Sequence, residues 1–68
     1  MPSSRVGMNV KRLRNARGWT QAGLAKRAKV ARVSIARLET SPTTRRPELR
    51  TIERLAKALG VPVGELLA

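Results

Sequence analysis

The chain has no cysteine, no histidine, no aspartate, no phenylalanine, no tyrosine and a single tryptophan. Without cysteine there is neither a disulfide framework nor a thiolate metal site, and without histidine there is no imidazole ligand and no base that titrates near neutral pH. Four glutamates are the only acids, and on their own they give no recognisable set of nucleophile, base and oxyanion donors. The expectation is a protein that is not an enzyme, with no metal and no cofactor. Long apolar runs are missing as well: nothing approaches the roughly 20 residues that cross a bilayer. The opening Met-Pro-Ser-Ser lacks the apolar stretch of a signal peptide, so a cytoplasmic location away from membranes is expected.

What is present is cationic and aliphatic. The 68 residues carry fifteen Lys and Arg against four Glu, a net charge of +11. A chain of this length supports one core and therefore one domain, residues 1–68. Its apolar inventory of Leu, Ile, Val and Ala favours packed short helices over sheet, an all-α fold. Such a charge makes acidic polymers the natural partners, nucleic acid first and anionic membrane second. Residues 1–40 hold ten of the cations and one Glu, whereas residues 41–68 hold five and three, so most of the positive field sits in the first part of the chain.

Apolar periodicity divides the chain into five segments. Ser3 or Ser4 is placed to cap a first helix whose stripe is Val6, Val10, Leu13 and Ala16, and Gly18 is a left-handed stop. Thr20 is placed to cap a second helix through Leu24, Ala25 and Ala28, with Trp19 before it set to close over Leu24 as a hydrophobic staple. Val30 reads as the buried residue of a turn. A third helix over residues 32–40 turns Ile35 and Leu38 inward and leaves Arg32, Val33, Ser34 and Arg37 on the outer face. Residues 40–47, with two prolines, four hydroxyl residues and a basic pair, form a loop. Leu49, Ile52, Leu55, Ala56 and Leu59 mark an amphipathic fourth helix ended by Gly60, and a last short turn from Pro62 to Leu67 carries Val63, Leu66 and Leu67.

The ordered features Gly18-x-Thr20-Gln21, Leu24-Ala25, Ile35-x-x-Leu38-Glu39, Pro47, Leu55-Ala56-x-x-Leu59-Gly60-Val61 and Leu66 resemble the Cro/repressor type of helix-turn-helix protein, the XRE family. The resemblance extends from Val6 to Leu67. It implies a compact bundle of five helices of the lambda-repressor-like DNA-binding type. Helices two and three then form the helix-turn-helix, with the third in the major groove. On that likeness Arg32, Val33 and Arg37 fall where bases are read. Gln21 and Ser34 fall where DNA phosphates are held; Thr20 beside Gln21, and Arg45 and Arg46 in the basic loop, are further phosphate candidates from their own chemistry. Arg14 and Glu39 fall where helix one is paired with the end of helix three, and Leu24, Ile35, Leu38 and Trp19 are structural. The implied partner is double-stranded DNA with a palindromic operator, bound by a homodimer acting as a repressor.

Each of these roles has physical support and a plainer alternative. The guanidinium fork of Arg32 or Arg37 matches O6 and N7 of guanine, but arginines on a short helix also bind phosphate without reading sequence. Val33 suits a thymine methyl, or is an isolated surface valine. Gln21 begins a helix whose free N–H groups already favour an anion, or is simply solvated. Arg45 and Arg46 suit a backbone or narrow minor-groove contact, or belong to a charged loop. Glu39 is the only acid in the first forty residues, which points to a specific partner. The apolar terminal turn of Val63, Leu66 and Leu67 is either a self-association patch or a cap on the core. The competing functions are an antitoxin-like or co-regulator-binding protein that autoregulates through DNA, and a nonspecific cationic binder.

The sequence departs from the family pattern at four places. Lys29 stands where glycine is preferred in the turn, Ala31 where a Ser or Thr caps the third helix, and Gly23 where an acid completes a capping box. The loop after Glu39 is about two residues longer than the common spacing and lacks its glycine.

Overall fold

Three of the helices end in the same backbone device, and those stops largely dictate the architecture. The computed structural model describes residues 5–40 and 48–68. Within them lie α1 (Arg5–Ala16), α2 (Gln21–Ala28), α3 (Arg32–Thr40), α4 (Leu49–Leu59) and α5 (Val63–Leu67). All regular structure among the described residues is helical, in agreement with the expected five-helix all-α fold. The caps expected from Ser3 and Ser4 lie outside the described residues, as do Arg45, Arg46 and Pro47.

At the end of α1, Gly18 takes φ +70° while the Trp19 N–H donates to the Arg14 carbonyl at 3.1 Å and the Gly18 N–H to Asn15 at 3.0 Å. At the end of α4, Gly60 takes φ +72°, and Val61 donates back to Ala56 at 3.0 Å. These are Schellman closures, which satisfy carbonyls that have run out of helix. The α2 end repeats the pattern, with Val30 donating to Ala25 at 3.1 Å, but the left-handed residue is Lys29, at φ 58°. A β-carbon there crowds the following carbonyl. Lys29→Gly is therefore expected to raise stability by about 1 kcal/mol, as a shift in the midpoint of urea unfolding.

Helix α2 starts as the sequence indicates: Thr20 is extended, and its Oγ1 accepts from the Gly23 N–H at 2.9 Å. Gly23 cannot complete a capping box, yet its bareness suits the cap, since a β-carbon there would lie 3.2 Å from Thr20 Oγ1. Thr20→Ala is expected to destabilise the fold by about 1 kcal/mol, measurable by thermal melting. Helix α3 has only the methyl side chain of Ala31 before it, and the Ala31 carbonyl accepts from the Ser34 N–H at 3.0 Å.

One core joins all five helices: Val6, Val10 and Leu13 from α1, Leu24, Ala25 and Ala28 from α2, Ile35 and Leu38 from α3, Ile52, Leu55, Ala56 and Leu59 from α4, and Leu66 from α5. Helix α1 packs on α3 and α5, α2 on α3 and α4, and α4 on α5. Trp19, Val30, Val61 and Val63 are half-buried around it.

The structure corrects several expectations. Ala16 is exposed, because the α1 stripe of 6, 10 and 13 continues in phase at position 17, not 16. Arg17 stands there, and its guanidinium donates to the carbonyls of Leu13 and Leu59, tying the ends of α1 and α4 together. Leu49 occupies the first position of α4, one turn before the buried Ile52, and is 62 % exposed. Val30 is half-buried, not fully enclosed. Leu66 lies wholly in the core and Val63 leans on it, so only Leu67 remains of the proposed terminal patch.

Candidate nucleic-acid interface

Helix α3 presents its polar side outward because its two apolar anchors, Ile35 and Leu38, are buried three residues apart. Opposite them Arg32, Val33 and Arg37 are all exposed and share a ridge, with Val33 51 % open to solvent. Ser34 and Ala36 of the same helix are half-buried. The ridge begins at the N-terminal end of the helix, where a helix entering a groove first reaches base edges.

Behind the ridge sits the acid that the sequence singled out. The Glu39 side chain is 2 % exposed and that of Arg14 11 %. The guanidinium engages both carboxylate oxygens: Arg14 Nε donates to Glu39 Oε2 at 2.9 Å and Nη2 to Oε1 at 2.8 Å. The remaining Arg14 nitrogen, Nη1, donates to the Trp19 carbonyl at 2.7 Å, and Gln21 Nε2 donates to Glu39 Oε1 at 3.1 Å. One carboxylate in the last turn of α3 thus gathers donors from α1 and α2, while Arg14 also holds the chain that joins them. A bidentate pair fixes angle as well as distance, so this knot sets the direction in which α3 points.

Burial pushes the Glu39 carboxyl up, but the hydrogen bonds from Arg14 and Gln21, and then the charges of Arg14 and Lys11, outweigh it and leave the group below the ordinary carboxylate range. The Arg14 guanidinium is raised, chiefly by its hydrogen bond to Glu39. A depressed folded-state value means that the unfolded chain takes up the proton first as pH falls. The stability contributed by Glu39 is therefore complete above about pH 4.3, the ordinary glutamate value. It is lost as pH drops through the lower folded value. Acid titration of the unfolding free energy is expected to show this limb, and Glu39→Gln to flatten it.

The model of the helix-turn-helix family of Cro/C1 type matches residues 10–66, from the middle of α1 to Leu66 of α5. The chain belongs to this family. No curated protein matches the sequence. As a Cro/C1-type helix-turn-helix protein it is a DNA-binding transcription regulator, and α2, the Lys29 turn and α3 are its helix-turn-helix. Among the described residues no helix is long and apolar enough to cross a membrane.

The structure places the other residues singled out by the sequence as follows. Leu24, Ile35 and Leu38 are core. Thr20 and Gln21 share the N-terminal end of α2, Thr20 as the cap and Gln21 bound through its amide to Glu39. Trp19 is half-buried against the core, and its ring is flanked by Arg27, 4.3 Å from the centroid, and Arg17, 5.8 Å away. Arg45 and Arg46 lie outside the described residues. Asn9 escaped sequence reasoning: its amide donates to the carbonyls of Leu66 at 3.0 Å and Ala68 at 3.1 Å, closing the end of α5 onto α1. A lone Asn in a helix carries no pattern that would announce such a contact.

Proposed function

We propose that this protein is a sequence-specific repressor that sets α3 into the major groove of double-stranded DNA. The observation that carries the reading is the exposed Arg32, Val33 and Arg37 ridge backed by the buried Arg14–Glu39 pair. An arginine reads guanine well only when its helix is held rigidly, and Glu39 supplies that rigidity through three hydrogen bonds from α1 and α2. Arg32 and Arg37 take the O6 and N7 edges of guanines, and Val33 meets a thymine methyl. Thr20 and Gln21 hold a phosphate at the start of α2, where the first N–H groups have no helical acceptor. Thr20 still has its hydroxyl proton to donate. Ser34, with Arg45 and Arg46 of the loop, adds backbone contacts.

The nine residues of α3 span about 14 Å, so one such helix reaches one major-groove face and not a second ~34 Å away. Two copies about a two-fold axis are therefore needed to read both halves of a palindrome, and the function proposed is that of a homodimer on DNA. Repression follows from occupancy of an operator that overlaps a promoter, and the protein acts wherever the DNA lies.

Selection of bound duplexes from a random pool tests the reading. The expected product is a palindromic, guanine-containing consensus bound at least about 10³-fold better than bulk DNA. A pool that emerges without consensus would leave only nonspecific cationic binding. Sedimentation on the selected duplex is expected to show two chains per site.

A further inference from the structure

A second cationic feature lies outside the helix-turn-helix ridge. Between the C-terminal end of α2 and the later turns of α4 is a cleft of about 450 Å³, lined by Arg27, Ala28, Lys29, Arg54, Lys57 and Ala58. The two alanines leave its floor open, four cations surround it, and no carboxylate lines it. Among the described residues the one ion pair is Arg14–Glu39, so none of these four cations is in direct contact with a carboxylate. Two of them are held in place: Arg27 by stacking on Trp19, and Arg54 by donating to the Lys29 carbonyl at 3.3 Å. That carbonyl belongs to the α2 terminus, so Arg54 also occupies an acceptor that would otherwise repel an anion. Lys29 and Lys57 are exposed, with ammonium groups free to turn toward a ligand.

Four like charges around a concavity repel one another until an anion enters, and they focus the field on that point. No aromatic side chain lines the cleft, and its apolar surface comes from two alanines and the aliphatic stems of the cations, so a ring or base finds nothing to stack on. A run of phosphates, by contrast, meets four positive charges. We infer that this cleft is a second anion site that takes a chain of phosphate groups. The chain comes either from a free oligophosphate or from consecutive backbone phosphates of a duplex.

The site is independent of base reading, and its test needs no operator. Inorganic tripolyphosphate is titrated into the full chain in about 0.1 M salt, where exposed charges more than ~10 Å apart are screened. Calorimetry follows the heat, and fluorescence of Trp19, the only tryptophan, follows displacement of Arg27. Saturable binding at one site per chain is expected. Lys29→Asn with Lys57→Gln should weaken it by roughly tenfold or more, Asn being a residue that tolerates the left-handed backbone of position 29. Lys11→Gln with Arg12→Gln, which removes the same charge from α1, should leave it within about twofold, and Arg32→Ala with Arg37→Ala should leave it intact. The source is assigned by repeating both charge pairs on duplex DNA. Weakening there by the cleft pair alone identifies backbone phosphates, and an effect confined to tripolyphosphate identifies a free phosphoanion. Equal weakening of tripolyphosphate binding by the two pairs, or a response that never saturates, would overturn the inference.

Discussion

Arg32→Ala is expected to erase the preference for guanine at one base pair of each half-site, with little change at the others. Arg37→Ala is expected to do the same at a second. A bidentate arginine–guanine contact contributes about 1–3 kcal/mol of discrimination, equivalent to roughly five- to 150-fold in relative affinity. The two side chains are exposed and neither makes an ion pair among the described residues, so their removal disturbs no core contact. The measurement is a binding matrix over all single-base variants of the selected site, for each variant protein. Arg32→Lys sharpens it, because the charge is kept and the planar fork is lost. If every sequence weakens alike and only the salt slope falls, these arginines hold phosphates and the reading of bases belongs elsewhere.

The largest effect on stability is expected at Glu39. Glu39→Ala leaves the Arg14 guanidinium, with 11 % of its side chain exposed, facing a gap, and removes the partner of Gln21. Breaking a buried pair from one side costs about 3 kcal/mol, and for a domain of this size each kilocalorie lowers the melting midpoint by about 4–8 °C. A fall of more than about 12 °C is therefore expected. Operator affinity should fall with it, since α3 loses the contact that orients it. Pairing Glu39→Ala with Arg14→Met is expected to recover part of the stability, because the stranded charge is gone. It should recover little of the affinity. That divergence separates a pair that positions the helix from one that merely holds the fold together.

Much of this architecture was legible in the sequence because it is written in residues with distinctive local roles. Gly18 and Gly60 announce helix ends because glycine adopts the left-handed conformation without the β-carbon clash of other residues, and Thr20 announces a helix start through its hydroxyl. Glu39 was legible as having a specific partner because no other acid stands among the first forty residues, and the family resemblance pointed to Arg14 as that partner. Periodicity was reliable for Val6, Val10, Leu13, Ile35 and Leu38 and failed at Ala16 and Leu49, where a stripe runs past the core it serves. What long side chains do at the rim could not be read in advance. Arg17 reaching two helix ends, Arg27 lying over Trp19 and Arg54 capping Lys29 depend on rotamers and on neighbours from distant segments, which spacing does not encode. Asn9 belongs with them, since its acceptors lie more than fifty residues away.

That amide makes α1 a shared beam. One side of it seats Leu66 and receives the tail through Asn9, and farther along Arg14 anchors the carboxylate that aims α3. A five-residue α5 has no independent life as a helix, so its docking and the posture of α1 rise or fall together. Prying the tail loose would therefore slacken α3 through α1. Melting followed at Trp19 and melting followed by helical dichroism should then superimpose as one transition.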